Sequence, residues 1–369
     1  MKFTCEKAQL VSAISVASRT VAQKSAISGL EGILVRAGVK VMLTGYNLET
    51  GITVSVDADV QENGACIMPA RLFFDIVRKL PDDTVSIQVD ENFKVSIKGG
   101  ISSFTITALS ADDYPELPDV DSEKGIRVPQ CELKAMISGT IFAVSENQAR
   151  PIHTGILFEV DNDSITSVAV DGYRLALRRY LPEESLERTL KFVAPAAALK
   201  EVEKILGDTE DPATFYPGSK HILFTIGDAT LVCRILEGEF LDYRNAIPKN
   251  NPICVEVETK ALLESLDRVS VVISEKLKSP VRCLFDMDKV YLSARTGNGE
   301  AKDICPVKGD GRELEIGFNN RYLMDALRYA PADKVHMQLN TGISPCIITP
   351  VDGGDEFLYM VLPVRLKAQ

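Results

Sequence analysis

The chain writes one pattern three times. A strand that runs straight into a helix opens at residues 3–21 (FTCEKAQLVSAISVASRTV), at 126–145 (IRVPQCELKAMISGTIFAVS) and at 253–274 (ICVEVETKALLESLDRVSVVIS). A second opening of the same kind follows each, about 65 residues later, and repetition at a fixed spacing constrains architecture more than any single motif. These second openings lie at 65–80, 190–206 and 314–330. The chain therefore reads as three domains of two half-units each, with boundaries at 1–122, 126–249 and 253–369.

Between the helices the sequence alternates in polarity as half-buried strands do: TVSIQVD from 84, FKVSIK from 93, FTITA from 104, GILFEV from 155, ILFTI from 222, ATLVCRI from 229, VYLSA from 290 and VHMQL from 335. Val, Ile, Thr and Phe dominate these runs. Asp171-Gly172 separates two of them and favours a type I′ hairpin. About one helix and four mostly hairpin-linked strands per half-unit make this an α+β protein with antiparallel sheets. The short polar segments 119–125 (DVDSEKG) and 248–252 (PKNNP) read as linkers.

At 369 residues, 45% hydrophobic and 25% charged, each domain can build a core. No apolar run reaches about 18 residues, so no membrane span is expected. The charged start MKFTCEKAQL lacks a signal peptide's apolar stretch, which points to the cytoplasm. Eight scattered cysteines without a C-x-x-C read as reduced, buried thiols rather than disulfides or zinc ligands. Catalytic chemistry has little to stand on. His153, His221 and His336 are isolated, and Gly297-Asn298-Gly299 and Gly309-Asp310-Gly311 read as loops without a phosphate-cradling context. Asp112, Asp113, Glu183 and Glu184 sit in polar exit loops. No catalytic residue, metal or cofactor is expected.

Seven segments in order carry a resemblance: MKFTCEKAQL at the start, MPARLFFDIVRKL from 68, ADDYPEL from 111, VAVDGYRLAL from 168, GEFLDYRNAIP from 238, EIGFNNRY from 315 and YMVLPVRL from 359. Together they resemble the bacterial sliding clamps, the beta subunits of DNA polymerase III, over the whole chain. The resemblance implies a three-domain DNA clamp fold, each domain a pseudo-twofold pair of helix-plus-antiparallel-sheet half-units. It implies a head-to-tail homodimer that closes a ring around double-stranded DNA, helices toward the hole. The protein would be a non-catalytic processivity subunit, and nucleotidyl transfer would belong to the polymerase it tethers. Two readings from other classes are a repeat scaffold that contacts DNA electrostatically without encircling it, and an enzyme using one domain face.

An acidic chain of formal charge -11 suits a polyanion only if its cations gather toward the hole, because exposed charges act within roughly 8–10 Å. The expected helices carry Lys7, Arg19, Arg71, Arg78, Lys79, Lys134, Lys200, Lys204, Arg268, Lys276, Arg321 and Arg328. Among the DNA contacts, the resemblance matches Lys24 in the loop after the first helix, and Asn147, Gln148 and Arg150 in the corresponding loop of the middle domain. Arg71, Arg78, Lys79 and Lys200 join them as pore cations. Phosphate contact carries no base information, so no sequence preference is expected.

The resemblance also implies a hydrophobic cleft that captures short peptides, roughly Q-x-[LM]-x-[LF], from the replicative polymerase alpha subunit, the clamp loader, other polymerases and repair proteins. Its matching positions are His153, Val170, Gly172, Tyr173, Arg174, Leu175, Leu241, Asn245, Ala246, Asn319, Tyr322, Pro345, Met360, Val361, Leu362, Pro363, Val364, Arg365 and Leu366. Apolar lining with a few polar groups is what such an anchor site requires. Leu241, Asn245 and His153 depart from the family's usual proline, arginine and leucine. For the dimer contact, Phe104 and Ile106 on an edge strand are matched with Val271 and Val272 at a helix end, with Glu300 and Asp303 as rim charge. The last three residues, Lys367 to Gln369, are expected to fray.

Overall fold

A computed structural model describes residues 1–273, 279–297 and 299–366. Lys276, Asn298 and the terminal Lys367 to Gln369 lie outside the described residues. All six strand-to-helix openings are present. The first half-unit runs β1 (Lys2–Glu6), α1 (Lys7–Ala17), β2 (Gly32–Ala37), β3 (Val41–Tyr46) and β4 (Thr50–Val56), with an added short strand β5 (Ala58–Glu62). The second runs β6 (Gly64–Pro69), α2 (Ala70–Lys79), β7 (Thr84–Val89), β8 (Lys94–Gly99) and β9 (Ser102–Thr107), followed by the two-residue β10 (Leu109–Ser110). The third is β11 (Ile126–Pro129), α3 (Gln130–Ile141), β12 (Gly155–Asp161), β13 (Ser164–Val170) and β14 (Arg174–Tyr180). The fourth is β15 (Leu190–Pro195), α4 (Ala196–Ile205), β16 (Pro212–Pro217), β17 (His221–Ile226) and β18 (Ala229–Arg234), then a single helical turn α5 (Tyr243–Ala246). The fifth is β19 (Ile253–Glu258), α6 (Thr259–Ser270), β20 (Val281–Phe285), β21 (Lys289–Thr296) and β22 (Gly299–Gly309). The sixth is β23 (Leu314–Phe318), α7 (Asn320–Arg328), β24 (Lys334–Leu339), β25 (Cys346–Pro350) and β26 (Phe357–Val361).

The helices form for ordinary amphipathic reasons. In α2 the buried Phe73, Ile76 and Val77 recur at helical spacing, while Arg78 and Lys79 occupy the last turn, where they favour the negative end of the helix dipole. The Lys7 ammonium donates to the Leu80 carbonyl just past that end, 3.0 Å away. That cation is therefore spent as a helix cap rather than held free for DNA.

Pairing between strands follows one rule. The first strand of every half-unit joins the hairpins of its sister: β1 bonds to β7, β6 to β2, β11 to β16, β15 to β12, β19 to β24 and β23 to β20, while β1 and β19 also keep a pairing at home, to β5 and to the last three residues of β22. Every pair is antiparallel. Phe3, fully buried on β1, thus packs in the sheet built by residues 84–107. Burying such a ring is worth about 1.5–3 kcal/mol, and that gain exists only when both halves are in place.

Last strands join neighbouring repeats. β4 bonds to β18, giving a nine-stranded sheet, and β14 bonds to β26, giving a twelve-stranded one. Contacts accordingly divide the chain into two compact units, residues 1–133 with 197–235 and residues 134–196 with 236–369. The division runs through the middle repeat because its two last strands bond to different neighbours. Two last strands keep an open edge. β9 ends the five-stranded sheet, and β22 is paired by β21 from Gly299 to Pro306 and by β19 only at Val307 to Gly309, so among the described residues its outer edge over Gly299 to Pro306 has no second ladder.

Several expectations shift in detail. The hairpin between β13 and β14 turns on Gly172-Tyr173, not on Asp171-Gly172, since Asp171 N–H donates back to the Arg174 carbonyl. Only Gly172 has positive φ (89°), the pattern of a II′ rather than a I′ turn. Gly299 and Gly309, read as loops, begin and end β22. All eight cysteines are free, but Cys131 is only half-buried and Cys254 is exposed, because it lies on the outer face of its strand. Burial pushes the Cys5, Cys66 and Cys233 thiols up to about 12, which keeps them protonated and inert.

The strand exchange has a steric signature. Gly32 and Gly155 open the equivalent strands β2 and β12, each facing the end of the visiting strand. A Cβ on Gly32 would sit 2.8 Å from the Met68 carbonyl oxygen, and one on Gly155 would collide with the Ala194 carbonyl oxygen. Backbone cannot give way as a side chain can. Gly155→Ala should therefore cost about 1–3 kcal/mol in denaturant unfolding, whereas Gly227→Ala, where a Cβ meets open space, should respond only to its positive φ.

Candidate functional site

One concavity gathers seven of the nineteen sequence-marked cleft residues. Its volume is 540 Å³, and His153, Val170, Gly172, Tyr173, Arg174, Leu241 and Tyr322 line it. Beneath it lies a closed apolar cluster that includes Ile152, Val170, Leu175, Phe240, Tyr243, Ile347 and Met360, with the half-buried Leu362 packed against it. Val361 is fully buried, paired with Arg174 across the β14–β26 ladder.

Past β26 the terminal segment changes partner. Leu362 N–H donates to the Tyr173 carbonyl at 2.9 Å, Pro363 bridges to Phe318, and Val364 N–H donates to the Gly317 carbonyl at 2.8 Å. The tail is thus both a packed strand and a staple beneath the hairpin. Pro363, Val364, Arg365 and Leu366 follow β23 and do not line the cavity, nor do Asn245, Ala246, Asn319 and Pro345. Asn319 has a local task instead, capping α7 through its side-chain oxygen, which accepts from Arg321 N–H at 3.0 Å. Asn245 donates to the Asp242 carboxylate at 2.6 Å.

Arg174 sets the cavity's shape. Its guanidinium is buried, donates to Asp171 (2.9 Å) and Asp325 (2.7 Å), and lies over the Tyr322 ring at 4.5 Å. Tyr322 in turn stacks on the exposed Tyr173 with ring centroids 6.0 Å apart. Asp325 also accepts from Arg328 at 3.3 Å. A cation held on two sides by carboxylates and on a third by a ring has little freedom, so the aromatic pair above it is preorganised. Burial pushes the Tyr322 hydroxyl up, away from ionisation.

Opposite stands His153, edge-on to Phe240 at 5.2 Å, with a buried Nε2 that lacks a partner. Burial, and then the adjacent Arg150, holds its pKa below the ordinary histidine value. The wall also uses residues that sequence reasoning assigned elsewhere or passed over: Val144, Ser145, Glu146, Asn147, Arg150, Asp171 and Arg321. Asn147 and Arg150, matched as DNA contacts, sit in this loop, where the Asn147 side-chain oxygen accepts from Ala149 N–H at 2.9 Å. Passed over entirely was Glu159 on β12, a buried carboxylate that accepts from the Tyr243 hydroxyl at 2.6 Å and from Arg244 at 2.7 Å. A Glu inside an apolar strand run was the available signal.

Lys24, Arg71, Arg78, Lys79, Asn147, Gln148, Arg150 and Lys200 are all exposed. The six long helices carry eleven basic and seven acidic side chains, a net of +4, so the rest of this -11 chain carries -15. Cations are thus enriched on helices. Some are locally neutralised all the same: Lys204 pairs with Glu201, which Arg19 just past α1 also contacts, and Arg268 pairs with Asp303. The rim acids share that condition, since Asp303 is held by Arg268 at 2.7 Å and Glu300 by Lys302 at 2.8 Å.

Comparison with known proteins agrees with this architecture repeat by repeat. The DNA polymerase III beta subunit family matches as its N-terminal domain over residues 1–118, its central domain over 127–242 and its C-terminal domain over 244–365. The chain belongs to the beta sliding clamp family. The beta sliding clamp of Halalkalibacterium halodurans is 31% identical over 99% of this chain and 100% of its own, and that of Staphylococcus aureus is 29% identical over 99% of each. The crystal structure of the DNA polymerase sliding clamp from Bacillus subtilis superimposes with a TM-score of 0.94 at 28% identity over 100% of both chains. That of the DNA polymerase III subunit beta from Pseudomonas aeruginosa gives 0.92 at 27% identity over 99% of this chain and 100% of the other. As a member, this clamp is a non-catalytic processivity factor of DNA polymerase III with the three-domain clamp fold, and DNA and a polymerase are the partners its family implies. The non-encircling scaffold reading is not favoured. Among the described residues no helix is long and apolar enough to cross a membrane.

The unpartnered imidazole gives this clamp a pH signature. Because its folded-state pKa is depressed, the unfolded chain binds more protons once pH falls below about 6.5, so stability present above that value declines on acidification. Denaturant midpoints between pH 7.5 and 5 should fall less steeply in His153→Gln than in the unmodified clamp.

Proposed function

We propose that this clamp is a cytoplasmic head-to-tail homodimer that encircles double-stranded DNA without reading its sequence. Through the cleft at His153, Tyr173, Arg174, Leu241 and Tyr322 it tethers the replicative polymerase alpha subunit, the clamp loader, other polymerases and repair proteins by short peptides. Its domain boundaries are 1–122, 126–249 and 253–369. The observation that carries the ring is the pairing rule. Last strands join repeats at β4–β18 and β14–β26, which leaves one last strand open at each end of the series, β9 and β22. Different surfaces meeting in this way form a heterologous contact, which closes when the rotation allows.

The side chains are suited to that contact. Phe104 and Ile106 stand opposite the buried Ile97 and Val95 and therefore lie on the core face of their sheet. Val271, which ends α6, is 83% exposed, and Val272 follows it. Joining these would cover apolar surface and satisfy the edge's hydrogen-bonding groups together. Glu300 and Asp303, already paired within the chain, would add little charge across the joint. Ile106→Asp should convert dimers to monomers in light scattering, and an unchanged mass would remove this interface.

For DNA, the exposed Lys24, Arg71, Arg78, Lys79, Asn147, Gln148, Arg150 and Lys200 supply phosphate and backbone contacts that guide sliding, while topology supplies the hold. Ordinary phosphate binders lose roughly 10³–10⁵ in affinity between 50 and 200 mM salt. A clamp placed on a nicked circle by an ATP-driven loader should instead stay through that range and leave when the circle is cut. Retention that survives linearisation but is stripped by moderate salt would replace encirclement with electrostatic contact.

A further inference from the structure

The wall of the cleft that carries Leu241 has almost no backbone support. After β18 the chain makes two backbone bonds, Ile235 N–H to the Lys220 carbonyl and Leu236 N–H to the Val193 carbonyl, then passes Gly238 at φ 131° and reaches the single turn α5, which has no side-chain N-cap. Leu241 itself is 46% exposed and lines two adjoining cavities, the cleft and a neighbour bounded by Lys191, Phe240, Tyr243 and Arg244. What fixes such a segment must be its side chains. Phe240 and Tyr243, on either side of Leu241, are buried in the apolar cluster.

Tyr243 also reaches a charge. Its hydroxyl donates to Glu159 Oε2 at 2.6 Å, and Arg244 grips both oxygens of the same carboxylate, Nη2 to Oε2 at 2.7 Å and Nη1 to Oε1 at 3.3 Å, while its guanidinium lies over the Tyr243 ring at 4.7 Å. Lys191 on β15 adds a third cationic contact at 3.3 Å. Burial alone would raise the Glu159 pKa, but Arg244, Tyr243 and Lys191 outweigh it and hold the carboxyl below its ordinary value. Glu159 belongs to β12, in the interior of the twelve-stranded sheet, so a rigid element grips the irregular segment through one anion.

We infer that Glu159 is a positioning residue for peptide capture: by holding Tyr243 and Arg244 it sets the Leu241 wall at the height an apolar anchor needs. The inference rests on the cleft reading above. Glu159→Gln keeps the shape but presents an amide toward Arg244, and Tyr243→Phe removes only the hydroxyl that Glu159 accepts from. Charge-assisted hydrogen bonds are among the stronger ones, so loss of either should move the wall rather than merely soften it.

The test is titration of a labelled Q-x-L-x-L-F peptide into the full-length dimer, well below its unfolding temperature. Leu241→Ala sets the scale of a damaged wall. Glu159→Gln and Tyr243→Phe should each weaken binding about tenfold, and the double variant should lose little more than either alone, because both break one contact. Light scattering serves as the control for folding and assembly, and if Glu159→Gln does not fold, Tyr243→Phe and Arg244→Met carry the test. Variants that lose melting temperature yet bind within twofold of the unmodified clamp would overturn the positioning role and leave the cleft standing. Absence of binding by the unmodified clamp would instead refute the cleft itself.

Discussion

Every repeat depends on reciprocal exchange of its first strands. Because β1 completes the sheet of β7 to β9 while β6 completes that of β2 to β4, neither half-unit has a closed core without the other. The exchange brings the Gly32 and Gly155 backbones so close to the visiting strands that no Cβ fits. It also frees the last strands. They are not consumed inside their own half-unit and can bond outward to the next repeat, which makes long continuous sheets out of short hairpins.

Much of this was legible in the sequence, for physical reasons. A strand-to-helix opening combines two hydrophobic periods, 2 and then 3.6, and six repetitions of that change cannot be produced by a loop-rich or all-helical chain. Exchange was not legible, since Phe3-Thr4-Cys5 carries the same alternation whichever hairpin it joins. The same limit explains the β13–β14 turn, where Asp171 has the composition of a turn centre but serves as the residue before it.

The cleft was legible as a set of apolar positions and less so as a geometry. Val170, Tyr173 and Leu241 were placed by resemblance, and they do meet around one cavity. Two buried charges that determine how they meet, Arg174 against Asp171 and Asp325, and Glu159 beneath Tyr243 and Arg244, depend on partners as far as 151 and 85 residues away in the chain. No local pattern marks such a pair. Both are ions held by several partners in low-dielectric surroundings, where a half-satisfied group is costly and a fully satisfied one is stiff. The cations of the helices show the converse, since Lys7 and Arg268 look free in sequence and are engaged in the fold.

Strand exchange has a consequence for synthesis. Phe3 sits between Val60 on one side and Ile87 on the other in the finished sheet, so the first strand to leave the ribosome keeps one edge unpaired until more than eighty further residues have been made. At bacterial elongation rates that wait is roughly 4–17 s, far longer than a hairpin needs to form. A similar delay recurs at β11, whose partner β16 is made much later, and at β19, which meets only three residues of β22 before β24 is made. A nascent clamp thus carries, three times over, an apolar strand with an unfilled edge. Such a chain would be most exposed to misassociation before the end of each repeat, when the edge that its sister hairpin will fill is still open.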